Sequence, residues 1–324
     1  MASSSRRRNS HTVERFRGYG RCCGHDSRFR IFVTPVDPTD SSVSTKSCCS
    51  REERGRENDL IFDVGMDIGE DTQYYLAKGF RVVAVEANPT VCAEVDKRNA
   101  AAISQGRLTI VNRAISESGQ PLIFYVCKSN SAWSTASPRL RDHWRSREGA
   151  VFSEIRVEGA TIAEIIDQYG VPYYAKVDIE GFDLVCLRGF ARYRTRPLYV
   201  SVEVDFYEVN EMIRCATDLG YKRFALVGQK TVPKQTQPRP PLEGLAVDYG
   251  FTLASSGLFG RELPTVWENA QHLRRKCNAI IRQHRAYRLL QPCAGIFPKR
   301  SVEAFKSKYL PLIDDWYDVH ASLQ

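Results

Sequence analysis

No stretch of the 324 residues approaches the roughly 18–20 consecutive apolar residues of a bilayer-spanning helix, and the N-terminus has no apolar core of the secretory kind. The expectation is a cytoplasmic protein. Import into an organelle is the alternative, because MASSSRRRNSHTV is rich in Ser and Arg and has no acid before Glu14. There is no G-x-S-x-G turn to raise a serine nucleophile and no H-E-x-x-H helix to hold zinc, so hydrolase chemistry has no support. The G-x-G-x-x-G fingerprint of a pyrophosphate cradle is missing too.

Cysteine is plentiful, at ten residues, but metal-like spacing is not. Cys92, Cys127, Cys186, Cys215, Cys277 and Cys293 stand singly and read mostly as small buried hydrophobes. Adjacent cysteines are poor ligands for one ion, so the doublets Cys22-Cys23 and Cys48-Cys49 read as reduced thiols in an unfolded tail. No constellation requires a metal. Net positive charge is small outside the tail: the chain carries a formal +8, and residues 1–58 hold 12 Lys+Arg against 7 Asp+Glu. The remainder is only mildly basic. A nucleic-acid enzyme usually spreads Lys and Arg over the face that carries its site, so charge held in a tail argues only weakly for such a substrate.

Residues 1–58 mix Ser, Arg, Gly and Pro without a sustained period and read as a disordered basic tail. From Leu60 short apolar runs alternate with helical stretches, the pattern of a parallel sheet covered on both faces. The spacing predicts strands over 60–64, 81–86, 107–113, 121–127, 173–178, 197–204 and 221–227, with helices over 70–78, 90–104, 161–169, 183–190 and 208–219. Residues 59–265 are thus expected to form one α/β domain with a doubly wound, mostly parallel sheet, its loop-rich part 228–265 overlying the site. Residues 266–324 are expected as a C-terminal helical extension packed on it, with helices over 266–290 and 301–317. In such a sheet, ligands sit beyond the carboxyl ends of the strands, where strand order reverses.

The strongest local signal is LIFDVGMDIGEDTQYYLAKGF, a hydrophobic strand ending in Asp63, then a glycine turn and a helix beginning near Glu70. Gly65 and Gly69 let backbone approach a ligand at the helix start. The next strand, RVVAVE, ends in Glu86, where a carboxylate can accept both hydroxyls of a ribose. Together they predict an adenosine-bearing cofactor. An acid two residues before the first glycine repels a pyrophosphate but suits a positively charged sulfonium or amino group, and S-adenosylmethionine carries both.

A second signal is YYAKVDIEGFD, an apolar strand ending in Asp178, with Glu180 and Gly181 before a new helix. Asp178 is expected at the sheet edge facing the reaction, where it could orient an acceptor hydroxyl, accept its proton or hold an ammonium; Glu180 is either a site residue or a first-turn acid. Enzymes that methylate exocyclic base amines carry an Asn/Asp-Pro-Pro-aromatic turn here, and Asp-Ile-Glu-Gly is not one.

FDVGMDIGEDT, VVAVEANP and KVDIEGFD, in that order and separation, resemble the FkbM-type methyltransferases. The resemblance runs from about Leu60 to Phe224 and continues in GYKRFALV, SSGLFGRELPTVW and WYDVHA. It implies a Rossmann-like class I methyltransferase fold, S-adenosylmethionine as cofactor, and O-methylation of a small-molecule acceptor, a hydroxyl of a sugar or natural product. The donor-binding set it implies is Asp63, Gly65, Met66, Asp67 and Gly69 in the first loop, Glu86, Ala87 and Asn88 after the second strand, and Ala114 after the third. Asp178 and Glu180 become the catalytic turn, and Asn130 and Trp133 in SNSAWST match a segment near the pocket. Asp67 departs from the Asn or His expected there and adds a negative charge.

Two other readings compete. A nicotinamide-dependent oxidoreductase is disfavoured by Asp63 and the missing third glycine. A non-catalytic nucleic-acid-binding protein would act through the basic tail. Glu203 and Asp205 end a strand at the ligand edge, lining the pocket or merely solvated. RLRDHWRSRE, with His143, reads as a solvated helix or loop, and His272, His284 and His320 as surface residues.

Overall fold

The first strand, β1 (Arg56–Val64), ends in five consecutive buried residues, Leu60–Val64, as a strand covered on both faces requires. The computed structural model describes residues 55–294, 308, 310, 312 and 315–324. After β1 come α1 (Glu70–Ala77), β2 (Arg81–Glu86), α2 (Pro89–Arg98), α3 (Ala100–Ser104), β3 (Leu108–Asn112) and β4 (Ala114–Ile115). Then follow β5 (Leu122–Cys127), α4 (Pro138–Glu148), β6 (Phe152–Val157), β7 (Gly159–Ala160), α5 (Ile162–Tyr169), β8 (Val171–Val177) and α6 (Asp183–Gly189). The remainder is β9 (Tyr199–Glu203), α7 (Val209–Asp218), β10 (Arg223–Gly228), α8 (Ala270–Ala294) and β11 (Tyr317–Ser322).

Among the described residues, seven strands form the main sheet in the order β10-β11-β9-β8-β1-β2-β3. The pairs from β9 through β8, β1 and β2 to β3 are parallel, and β11 runs antiparallel to both neighbours. The expected doubly wound, mostly parallel α/β sheet is therefore present. The chain moves outward from β1 to β3, then returns to lay β8 on the other side of β1, so strand order reverses between β1 and β8. Local signals start the flanking helices: Asn88 caps α2 through Thr90 N, with Pro89 in the first turn, and Thr161 with Glu164 forms a capping box at α5.

The two faces of the sheet differ in chemistry. One packs Phe62, Val64, Ala175, Val177, Val200 and Val202 against the apolar sides of α5, α6 and α7. The other begins apolar, with Ile61, Tyr174 and Tyr199. It turns polar toward the carboxyl ends, where Asp63, Lys176, Ser201 and His320 stand in register across four strands. All four are nine-tenths buried or more, a costly arrangement unless the groups satisfy one another or a ligand.

Several expectations need correction. Ordered strand begins at Arg56, inside the stretch assigned to the tail; residues 1–54 lie outside the described part, as do most of 301–317. Residues 138–148 form a helix with Trp144 turned inward, and Phe152–Val157 pairs antiparallel with β5. Neither is signalled by a clean period, because α4 carries almost no apolar stripe. The extension 266–324 contributes α8, but Tyr317–Ser322 is a fully buried strand between β9 and β10. Asp318 and His320 gave that segment a solvent-facing look. His320 is accordingly buried, with burial pushing its pKa down to about 3. No helix among the described residues is long and apolar enough to cross a membrane.

Candidate active site

The turn after β1 is built by glycine. Gly65 has φ +88°, and its amide and that of Met66 both donate to Val85 O, at 2.9 and 3.1 Å, tying the turn to β2. A Cβ on Gly65 would collide with the carbonyl oxygen of Asp178, so only glycine lets the β1 and β8 loops touch. Gly69, φ +82°, begins α1 and packs on Val95. Asp67, φ +43°, occupies the left-handed region, which Asp tolerates better than most side chains.

Beneath this turn lies a cluster of charge that the sequence reading did not single out. Lys176 on β8 is buried; its Nζ donates to Gly65 O at 3.0 Å and lies 3.7, 3.6 and 3.4 Å from carboxylate oxygens of Asp63, Asp71 and Asp178. Burial alone would lower its pKa, but the carboxylates of Asp178, Asp63 and Asp71 outweigh burial and hold it well above the usual lysine value. Asp63 accepts from Thr72 Oγ1 at 2.6 Å, while its other oxygen has no hydrogen-bond partner. Burial pushes Asp63 up to about 6, and Lys176 limits the rise.

On the β2 side, Glu86 accepts the amides of Asn88 at 2.7 Å and Asp67 at 3.1 Å, one on each carboxylate oxygen. Burial raises its pKa to about 7. Across from it, the turn after β8 is folded by Asp183, which accepts from Ile179 N at 2.9 Å and Gly181 N at 3.0 Å, and by Thr135 Oγ1, which donates to Glu180 O at 2.7 Å. Burial, then the charge of Asp178, pushes Asp183 up to about 7, and the same two causes raise Glu180 well above the usual carboxylate range.

These edges surround a cavity of about 550 Å³, within the size range of small-molecule sites. One wall is Trp133 stacked on Trp144 of α4, centroids 4.7 Å apart and 7° from parallel. Another is Leu253–Ser256, in the loop expected to overlie the site. Ser255 Oγ donates to Glu70 at 2.9 Å, as does Thr252 Oγ1, Tyr249 OH donates to Glu70 O at 2.9 Å, and Ser256 N donates to Asp71 at 2.9 Å. The loop is anchored lower down by Glu262, which accepts from Lys78 Nζ at 2.9 Å and from Leu242 N and Glu243 N; Lys78, Glu243 and Glu262 are buried.

The profile described as "Methyltransferase FkbM domain" matches residues 63–223, from the acid at the end of β1 to the start of β10. The chain carries an FkbM methyltransferase domain. A curated relative, the dimethyladenosine transferase of Schizosaccharomyces pombe, is 25% identical over 122 residues, which are 38% of this chain. The chain spans only 39% of that relative's length. Among solved structures, it is similar to a precorrin-6y C5,15-methyltransferase from Geobacter metallireducens GS-15 (9% identity, 83% of this chain, 81% of that one, TM-score 0.33). It is also similar to a precorrin 8w decarboxylase from Methanobacterium thermoautotrophicum (16% identity, 54% of this chain, 70% of that one, TM-score 0.30).

Of the residues expected at the site, Gly65, Met66, Asp67, Glu86, Ala87 and Asn88 line the FkbM-domain cavity, together with Ala114 and, on the opposite side, Asp178 and Glu180. Asn130 and Trp133 line it too, as does Glu203, whereas Asp205 is paired with Arg139. Asp63 and Gly69 stand behind the wall rather than in it; Asp63 acts on Thr72 and Lys176. Sequence reasoning missed Lys176, Asp71, Trp144, Gln229 and Asp318. The first two sit inside the motifs KVD and GED, where a charge within an apolar run was the available signal.

Proposed function

We propose that this domain binds S-adenosylmethionine at the Gly65 turn and methylates a hydroxyl of a small-molecule acceptor, a sugar or natural-product hydroxyl. The observation that carries the reading is Glu86. Two backbone amides fix its carboxylate at the cavity wall, and each oxygen retains a lone pair to accept a ribose hydroxyl. Gly65 and Met66 bring backbone against the same space, and Asn88 and Ala114 border the adenine side. The group supplies a methyl on positively charged sulfur. Its net positive charge suits a cavity lined by eight carboxylates against Lys176 and Arg113.

Asp178 faces this cavity with its carboxylate partly exposed and 3.4 Å from Lys176. We assign it the acceptor's proton, with Glu180 shaping the same turn. Proximity supplies most of the acceleration in a transfer of this kind, on the order of several kcal/mol. Methylation of adenosine, suggested by the relative from Schizosaccharomyces pombe, is the second reading. The Asp-Ile-Glu-Gly turn and the carboxylate-rich lining both oppose a phosphate-bearing acceptor. Separate calorimetric titrations with S-adenosylhomocysteine and with NAD decide the cofactor. A labelled-donor assay on a metabolite pool and on RNA decides the acceptor. Heat only with NAD, or label only in RNA, would end this reading.

A further inference from the structure

Once donor and base are accounted for, an acidic corner of the cavity is left over, at the carboxyl ends of β8 and β9 and the amino end of β11. One oxygen from each of Asp178, Glu180 and Glu203 lies within 4.8 Å of the other two. Two oxygens on opposite sides of a hard cation, each at about 2.4 Å, stand roughly 4.8 Å apart, so these three have the spacing of ligands to one ion. Among the described residues only Lys176 approaches this corner with positive charge, and it is shared with Asp63 and Asp71. No lysine or arginine among the described residues pairs with Glu180 or Glu203.

One further side chain points to a ligand independently of that cluster. Asp318, 6% exposed, stands opposite Glu203 in the β9–β11 register, lines the same cavity and has no hydrogen-bond donor among the described residues. Leaving such a group unsatisfied costs on the order of 1–3 kcal/mol, more where it is charged. Burial and mutual repulsion hold Glu203 and Asp318 well above the usual carboxylate range, as they do Glu180.

We propose that Asp178, Glu180 and Glu203, backed by Asp318, bind a hard divalent cation of the magnesium, manganese or calcium class beside the acceptor. The donor set is oxygen only, without thiolate or imidazole, which selects that class over zinc or copper. The role at the reaction rests on the methyl-transfer reading above: an acceptor oxygen on the cation loses its proton more readily, and Asp178 receives that proton through its carboxylate. Cation binding itself does not depend on that reading.

The test uses full-length protein stripped with EDTA and titrated with MnCl2, following free aqua Mn²⁺ by electron paramagnetic resonance. One ion per chain should be taken up. Glu203→Gln should weaken uptake at least about tenfold, and Asp318→Asn severalfold. S-adenosylhomocysteine calorimetry on the same samples should move by less than about twofold, since this compound lacks the sulfonium charge and neither residue belongs to the Gly65 turn or the Glu86 wall assigned to it; it also certifies that the variants are folded. Wild-type protein that leaves Mn²⁺ free at about 1 mM, or equal uptake by wild type and Glu203→Gln, overturns the cation site. Mn²⁺ uptake without S-adenosylhomocysteine binding supports the cation site and refutes the donor assignment instead.

Discussion

Gly65 and Asp178 are in backbone contact: the position a Cβ would take on Gly65 is occupied by the carbonyl oxygen of Asp178. Two loops from neighbouring strands, one expected to hold the donor and one the base, are thereby locked together without any side chain between them. Gly65→Ala should cost about 3 kcal/mol or more in urea unfolding, from the φ +88° backbone and the collision together. Gly106→Ala is the control, with φ +68° and open space around it, and should cost only about 1 kcal/mol. Equal costs for the two would show that the contact is not tight.

Lys176→Met should leave the carboxylates of Asp63, Asp71 and Asp178 without their buried counter-charge and destabilise by about 3 kcal/mol at pH 8. The gap should narrow toward pH 5. Asp63 has a folded pKa already raised to about 6, above its unfolded value, so its favourable contribution is full at low pH and lost as pH rises through 6. Losing Lys176 raises that pKa further and steepens the loss. Parallel pH profiles of urea midpoint for wild type and variant would contradict the coupling.

Glu86 predicts a pH-dependent donor affinity. Its folded pKa of about 7 exceeds the unfolded value, so the free protein loses stability as pH rises through 7, while the ionised form is the better acceptor for ribose hydroxyls. S-adenosylhomocysteine should therefore bind progressively tighter from pH 5.5 to 7.5, with proton release visible in calorimetry across buffers of different ionisation heat. Glu86→Gln should flatten this profile and weaken binding. A flat wild-type profile removes the carboxylate from the donor contact.

Asp178→Asn keeps the shape of the side chain and removes its basicity. Turnover in a labelled-donor assay should drop on the order of 10²–10⁴-fold while S-adenosylhomocysteine binding stays measurable. Turnover at the wild-type rate would dismiss Asp178 as the base.

Glu262→Gln should strand a buried Lys78 ammonium and loosen the amides of Leu242 and Glu243, at a cost of about 3–5 kcal/mol. Limited proteolysis should then cut within 240–260 faster than elsewhere. A variant as resistant as wild type would mean that the loop is held chiefly by its contacts with Glu70 and Asp71.

The parts of this architecture that could be read in advance are those in which one residue type has one structural use. β1, β2 and β8 announce themselves as apolar runs closed by an acid, and Gly65, Glu86 and Asp178 follow because each lies at a strand end. Lys176 was harder, because a charge on a buried strand looks like a surface residue until its counter-charges are brought in from β1 and α1. Asp318 was hidden for the same reason: YDVHAS alternates as if half-exposed, yet both faces are covered. The walls from α4 and 253–256 depend on where long connections fold back, which residue periodicity does not encode.

The placement of β11 carries a consequence for assembly. β9 and β10 do not pair with each other; they are bridged by residues 317–322. During synthesis the carboxyl end of β9 therefore stays an open edge until those residues have left the ribosome. Loss of residues 317–322 would remove Asp318 from the acidic corner and split the sheet in the same event.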